Sequence, residues 1–99
     1  MISLPLVRTF VTLADTGSFV ETARRLGLAQ STVSLQLKRL EAALGVTLLE
    51  RSHAGCRLTM RGTASLPHAK ALLRSAERFA AVADGNRITI GCSGNIAAR

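Results

Sequence analysis

Residues 18–44 constrain this chain more than any other stretch, because they spell a short helix, a tight turn and a longer helix in succession. Ser18 followed three residues later by Glu21 is the pattern of a capping box, in which each side chain covers an orphan backbone N–H of the first turn. Ala23 and Leu26 fall on the inward face, and Gly27 supplies the left-handed residue that stops a helix. A second helix begins near Gln30 and ends at Gly45. Its Val33, Leu37, Leu40 and Leu44 recur at spacings of four, three and four, one helical face. Two helices joined by a short Gly-containing turn form the helix-turn-helix unit, whose second helix enters the DNA major groove.

The flanking sequence supplies what such a unit needs to fold. Leu6, Val7, Phe10, Val11, Leu13 and Ala14 give residues 4–14 a broad apolar helical face, broken by Asp15-Thr16-Gly17. Three helices then bury Phe10, Phe19, Ala23, Leu26, Val33, Leu37 and Leu40 among them. After Gly45 the period changes. Residues 46–51 and 57–59 read as two short strands turning near Ala54-Gly55, a wing that must pack on the helices because an isolated hairpin is marginal in water. Thr59 or a neighbour opens a helix that runs to about Ala83. Its stripe is Leu66, Ala69, Leu73, Ala76, Ala80 and Ala83, flanked by Leu72 and Phe79, with Pro67 in the first two turns as a point of expected kinking. So much apolar surface exceeds what three helices can cover, so pairing with a second copy is expected, close antiparallel approach being allowed by the alanines. Folding back onto its own domain is the alternative. Asp84-Gly85-Asn86 reads as a hinge and Arg87-Ile88-Thr89-Ile90-Gly91 as a strand, the opening of a further domain.

The expected architecture is therefore mostly α: a winged helix-turn-helix, with a three-helix core and a two-stranded wing, followed by a long dimerising helix. Its divisions are 1–59 for the winged unit, 60–84 for the linker and dimerisation helix, and 85–99 for hinge and strand. The 13 Lys and Arg against 6 Asp and Glu leave a net charge of +7, which favours a polyanion, nucleic acid before an anionic membrane surface. Cys56 and Cys92 have no CxxC spacing, so no metal site is expected, and reduced thiols fit a cytoplasmic protein. No uncharged run approaches the ~18 residues of a membrane span, and no basic region precedes an apolar one at the start, so neither membrane insertion nor a secretory signal is expected. An enzyme is not expected either, nor a cofactor. Paired carboxylates and a nucleophile with its base are missing, and His53 and His68 have no obvious partners.

With Val33, Leu37, Leu40 and Leu44 inward, the opposite side of the third helix carries Ser31, Leu35, Lys38 and Ala42, with Ser34 and Gln36 on its flanks. The first turns of a recognition helix sit deepest in the groove, so Gln30, Ser31, Thr32, Ser34 and Leu35 are the base-edge candidates. Gln pairs bidentately with adenine, Ser and Thr discriminate less, and Leu35 or the Thr32 methyl suits a thymine methyl. Lys38 and Arg39, farther back, are placed to hold phosphates. The competing reading has Ser31 and Ser34 merely solvating a helix face. Ser18 serves as a cap, and its helix N-terminus also offers N–H groups and a positive dipole to a phosphate.

Taken together, these residues resemble the N-terminal half of the LysR-type transcriptional regulators. The resemblance is collinear over residues 4–83 and continues weakly to 91. It is carried by Gly17-Ser18-Phe19, Ala23-x-x-Leu26, Gln30-Ser31-Thr32-Val33-Ser34 and Gln36-Leu37-x-x-Leu40-Glu41. Leu44-Gly45-x-x-Leu48-Leu49-Glu50-Arg51, Arg57-Leu58-Thr59 with Gly62, and Leu66-Pro67-x-Ala69 extend it. Leu49 stands where the family often has Phe, Ser31 where Pro is frequent, and Leu35 where Arg or another polar residue is common. The last departure bears on sequence choice. The resemblance implies a linker helix that dimerises, a two-lobed effector-binding domain beginning near Arg87, and contact of Arg51 and the wing tip near His53 with the DNA backbone or minor groove. Arg51 paired with a glutamate, and His53 as a solvated loop residue, are the alternatives.

The expected function is thus a sequence-specific regulator of transcription, acting as a homodimer on double-stranded DNA carrying an inverted repeat. Dimerisation is assigned to Leu66, Ala69, Leu72, Leu73, Ala76, Phe79, Ala80 and Ala83. No effector is expected to bind these residues. Two other readings use the same sequence. One is a truncated interaction module that captures a full-length partner through the linker helix. The other is a different winged-helix regulator of the molybdate-responsive type.

Overall fold

The computed structural model describes residues 3–53 and 55–83. Four helices and one hairpin follow in order: α1 (Leu4–Thr16), α2 (Phe19–Leu26), α3 (Gln30–Leu44), β1 (Leu49–Ser52), β2 (Gly55–Leu58) and α4 (Met60–Ala83). The hinge and strand expected at 84–91, the segment beyond them, and Ala54 of the expected wing turn lie outside the described residues.

The first three helices each end on a glycine in the left-handed region, as the sequence requires. The turn between α2 and α3 shows why. Gly27 holds φ 67°, and the Leu28 N–H then reaches back 2.9 Å to the Ala23 carbonyl, satisfying an orphan acceptor of α2. At the start of α2 only half of the expected capping box forms. Ser18 Oγ accepts from the Glu21 N–H at 3.1 Å. The Glu21 carboxylate, however, turns to Arg24 and Arg25. The Ser18 N–H goes instead to Thr16 Oγ1 at 3.1 Å, and that hydroxyl also donates to the Ser18 carbonyl. The hydroxyl of Thr22, fully buried, lies 2.8 Å from it. A chain of hydroxyls has thus replaced the carboxylate arm.

The core forms where α1, α2 and α3 meet. Phe10, Phe19, Ala23, Val33, Leu37 and Leu40 are buried as their spacing predicts, and Leu6, Leu13, Leu48 and Leu49 join them. Burying each large aliphatic or aromatic side chain is worth about 1.5–3 kcal/mol. Leu26 is only half-buried. Leu44, expected on the inward face, is 41% exposed. It borders a groove beside α4 and is not among the core residues.

The first strand of the wing is shorter and starts later than its sequence suggests, and the second starts two residues earlier. β1 and β2 pair antiparallel with Leu49 opposite Leu58 and Arg51 opposite Cys56. Val46 to Leu48 take no part in it, because the backbone there has another partner: Glu41 Oε2 accepts the N–H groups of Leu48 at 2.7 Å and Leu49 at 3.2 Å. One more tie fixes the hairpin to the helices: the Cys56 N–H donates to the Gly17 carbonyl, at the end of α1, at 3.0 Å. The Thr59 N–H, donating to the Leu48 carbonyl at 2.9 Å, joins the chain entering the hairpin to the chain leaving it.

Thr59 caps α4. Its hydroxyl accepts from the Gly62 N–H at 3.0 Å and donates to the Thr47 carbonyl at 2.6 Å. At Gly62 the helix crosses the end of the α3–β1 connection so closely that a Cβ there would stand 2.1 Å from the Leu48 carbonyl oxygen. Helix α4 continues through Pro67, whose ring nitrogen cannot donate the bond the Thr63 carbonyl would accept. Its N-terminal part packs on the core through Gly62, Leu66 and Ala69, while Leu72, Phe79 and Val82 stay exposed. No helix among the described residues is long and apolar enough to cross a membrane.

Candidate nucleic-acid interface

The exposed side of α3 and the first strand of the wing form one shallow concavity. Gln30, Ser31, Ser34, Leu35 and Lys38 line it from the helix, and Arg51 from β1. Helix α3 starts at Ala29 without a side-chain cap. The Thr32 and Val33 N–H groups bond back to the Ala29 carbonyl, whereas those of Gln30 and Ser31 find no side-chain acceptor among the described residues. Leu35 stands 48% exposed in the middle of this otherwise polar surface.

Arg51 is held rather than free. Its guanidinium carbon lies 3.8 Å from the centroid of the Phe19 ring, and Nη2 donates to Ser34 Oγ at 3.0 Å. The expected alternative, an ion pair with a glutamate, does not form among the described residues. There the ion pairs all belong to α2 and its surroundings: Arg24 with Glu21, and Arg25 with Asp15 at 3.0 Å and Glu21 at 3.6 Å. The hydrogen bond from Arg24 holds the Glu21 carboxyl below the usual carboxylate range, and Glu21 in turn raises the Arg24 guanidinium. Positive charge on α2 is therefore offset, while Lys38 and Arg51 keep theirs for whatever meets the concavity.

Other candidate residues fall elsewhere. Thr32 is half-buried and outside the concavity. Arg39 lies with Ala42 and Ala43 around a separate hollow beside Ser3 and Leu6, so Ala42, farther along α3 than Lys38, does not line the concavity. Ser18 spends its hydroxyl on the α2 cap, and His53 is exposed at the end of β1. Gln36 faces inward, its side-chain oxygen accepting from the buried Thr9 hydroxyl. Cys56, in β2 opposite Arg51, is half-buried, and burial pushes its thiol up, with the charge of Arg51 acting against the shift.

Two residues have roles that the sequence does not announce. Glu41, a matching position with no task of its own in the sequence, anchors the wing. Phe19, expected in the core, is also the platform under Arg51. Glu41 lies one turn past Leu37 on the flank facing the connection to the wing, the signal that would have marked it.

Of the residues assigned to dimerisation, Leu66 and Ala69 pack against the protein's own core. Leu73 and Ala76 are half-exposed, Leu72 is 45% exposed, Phe79 76%, and Ala80 and Ala83 are open. Between α1, α3 and α4 runs an apolar groove with Val7, Leu40, Leu44, Ala64, His68 and Leu72 along it.

Residues 4–63 match the family of bacterial regulatory helix-turn-helix proteins, lysR family. The chain belongs to that family. It is 48% identical over 90 residues to PtxE of Stutzerimonas stutzeri, described as an HTH-type transcriptional regulator, covering 91% of this chain and 46% of that protein. Against the HTH-type transcriptional regulator TcbR of a Pseudomonas strain the identity is 40% over 84 residues, or 81% of this chain and 29% of the relative. The chain thus spans less than half the length of these relatives. Among solved structures, oxidised OxyR of Corynebacterium glutamicum superposes with a TM-score of 0.80 at 41% identity, over 84% of this chain and 26% of that one. The CbnR DBD–DNA complex gives 0.73 at 38%, over 83% of this chain and 99% of that chain. The BenM DBD on benA site 1 DNA gives 0.77 at 30%, over 83% and 95%.

Proposed function

We propose that this chain is the DNA-binding part of a bacterial transcription regulator that works in the cytoplasm as a dimer on an inverted-repeat site in double-stranded DNA. One observation carries the reading: an exposed, hydrogen-bonding helix face flanked by two cations that no carboxylate neutralises among the described residues. Helix α3 enters the major groove. Gln30, Ser31, Ser34 and Leu35 meet base edges there, with Thr32 at the margin. Lys38 and Arg51 hold phosphates, Arg39 reaches the backbone from the other flank, and Ser18 at the start of α2 and His53 at the wing tip approach it from outside. Residues 1–59 form the reading head, 60–84 the dimerising helix, and 85–99 lead into an effector-binding domain, so these residues themselves bind no effector. The uncovered Leu72, Phe79 and Val82 support self-association through α4.

Capture of a longer partner through α4 alone is not favoured, because it leaves the α3 surface without a task. Selection of bound duplexes from a random pool, with stoichiometry measured on the winning site, tests the proposal. An inverted repeat occupied by two copies is the expected result. A pool that remains random after selection defeats it.

A further inference from the structure

We infer that Phe19 is a positioning residue for DNA binding: its ring fixes the Arg51 guanidinium so that the wing meets a phosphate already oriented. The inference rests on the DNA-binding reading above. An arginine on an exposed strand normally samples many rotamers, and ordering it on a ligand costs affinity. Here two contacts from two different elements define the plane of the guanidinium. From α2, the face of the Phe19 ring lies under it, 3.8 Å from the centroid, where the ring quadrupole attracts a cation. From α3, Ser34 Oγ accepts one N–H at 3.0 Å.

Phe19 itself is only 6% exposed and belongs to the core, so the platform is as rigid as the helices that hold it. Leucine would fill that core volume nearly as well but would present no π face. Of the five N–H donors of the guanidinium, the one on Ser34 is spent, and the rest have no acceptor among the described residues. Ser34 accepts from Arg51, so its own hydrogen is left to donate. Ser34 thus stays free to donate to a base edge, while Arg51 and Lys38 present hydrogen-bond donors and positive charge at one edge of the concavity. Such an edge suits the oxygens of a phosphate, which a guanidinium can take bidentately.

The test measures binding of the whole chain to a mixed-sequence duplex of about 30 base pairs as a function of salt. Arg51→Ala should lower the salt slope by about one. Replacing Phe19 with pentafluorophenylalanine keeps the shape and reverses the quadrupole. That variant should bind about 3- to 10-fold more weakly, with an unchanged melting temperature. Phe19→Leu should act in the same direction. In the Arg51→Ala background neither Phe19 change should cost anything further, the signature of two residues acting as one. Wild-type affinity in the pentafluoro variant, or losses that add in the double variant, would overturn the inference and leave the DNA reading standing. A wild-type chain that fails to bind the duplex at low salt would remove both.

Discussion

Replacing Glu41 by alanine should loosen the wing and destabilise the domain as a whole. The carboxylate accepts two backbone N–H groups, those of Leu48 and Leu49. Both residues are buried, at 0% and 6% exposure, so water does not readily take over. Leaving one buried donor unsatisfied costs about 1–3 kcal/mol, and the carboxylate itself is only partly buried, so about 3 kcal/mol for the pair is a reasonable total. That is a large share of the roughly 5–15 kcal/mol that holds a natural domain together. At about 4–8 °C per kcal/mol for a domain of this size, the melting temperature should fall by roughly 12–24 °C. Glu41→Gln keeps an acceptor oxygen and loses the charge, so it should cost about 1 kcal/mol. Urea unfolding at fixed protein concentration measures both, with m unchanged because the surface exposed is the same. If the alanine variant lies within about 0.5 kcal/mol of the parent, or the glutamine variant falls as far as alanine, the carboxylate is not acting as the acceptor described.

Gly62→Ala should cost about 1–3 kcal/mol, since the new methyl would force α4 away from the Leu48 carbonyl, 2.1 Å from its Cβ; thermal melting reads it directly. Lys38→Ala should weaken binding to all duplexes about equally and lower the salt slope by about one. Phe79→Glu should turn a dimer into a monomer in sedimentation equilibrium while leaving the melting of the winged unit intact, because Phe79 lies outside the core. Glu21 contributes through a lowered pKa set first by the hydrogen bond from Arg24. Its contribution is therefore full at neutral pH and is lost as pH falls through that lowered value. Glu21→Gln should flatten the acid limb of the stability curve.

Helix ends were legible in the sequence because glycine marks them chemically: α3 begins at Gln30 and stops before Gly45 as read. Most core positions of the three helices followed from period, though Leu26 and Leu44 are less buried than their spacing implies and Leu48 and Leu49 enter from outside the helices. What periodicity could not show was any interaction between segments distant in the chain. The first strand of the wing is expected too early because Val46 to Leu48 look like strand, and nothing local reveals that a glutamate on α3 claims the N–H groups of Leu48 and Leu49. The capping box is half right for a related reason, since Thr16 takes the Ser18 N–H and Thr22 supports the Thr16 hydroxyl, and a threonine pair carries no capping pattern. The α4 stripe runs as one helical face in sequence, yet Leu66 and Ala69 meet the protein's own core while Ala80 and Ala83 stay exposed. A helix that leaves its domain changes environment along its length, and a repeat every three or four residues is blind to that change. At the concavity, residue types were readable but reach was not: Arg39 sits one residue after Lys38 and lies on a different flank.

The crossing at Gly62 has a mechanical consequence. Helix α4 has 24 residues, so it is a lever about 36 Å long with its fulcrum near one end. A tilt of about 10° at that fulcrum carries the far end roughly 6 Å, close to two steps along a duplex with about 3.4 Å between base pairs. In a dimer joined through α4, the spacing of the two reading heads is thus calibrated by how closely one backbone can lie against another at a single point. A change of DNA site spacing in a relative would be sought first there, in residues that never touch DNA.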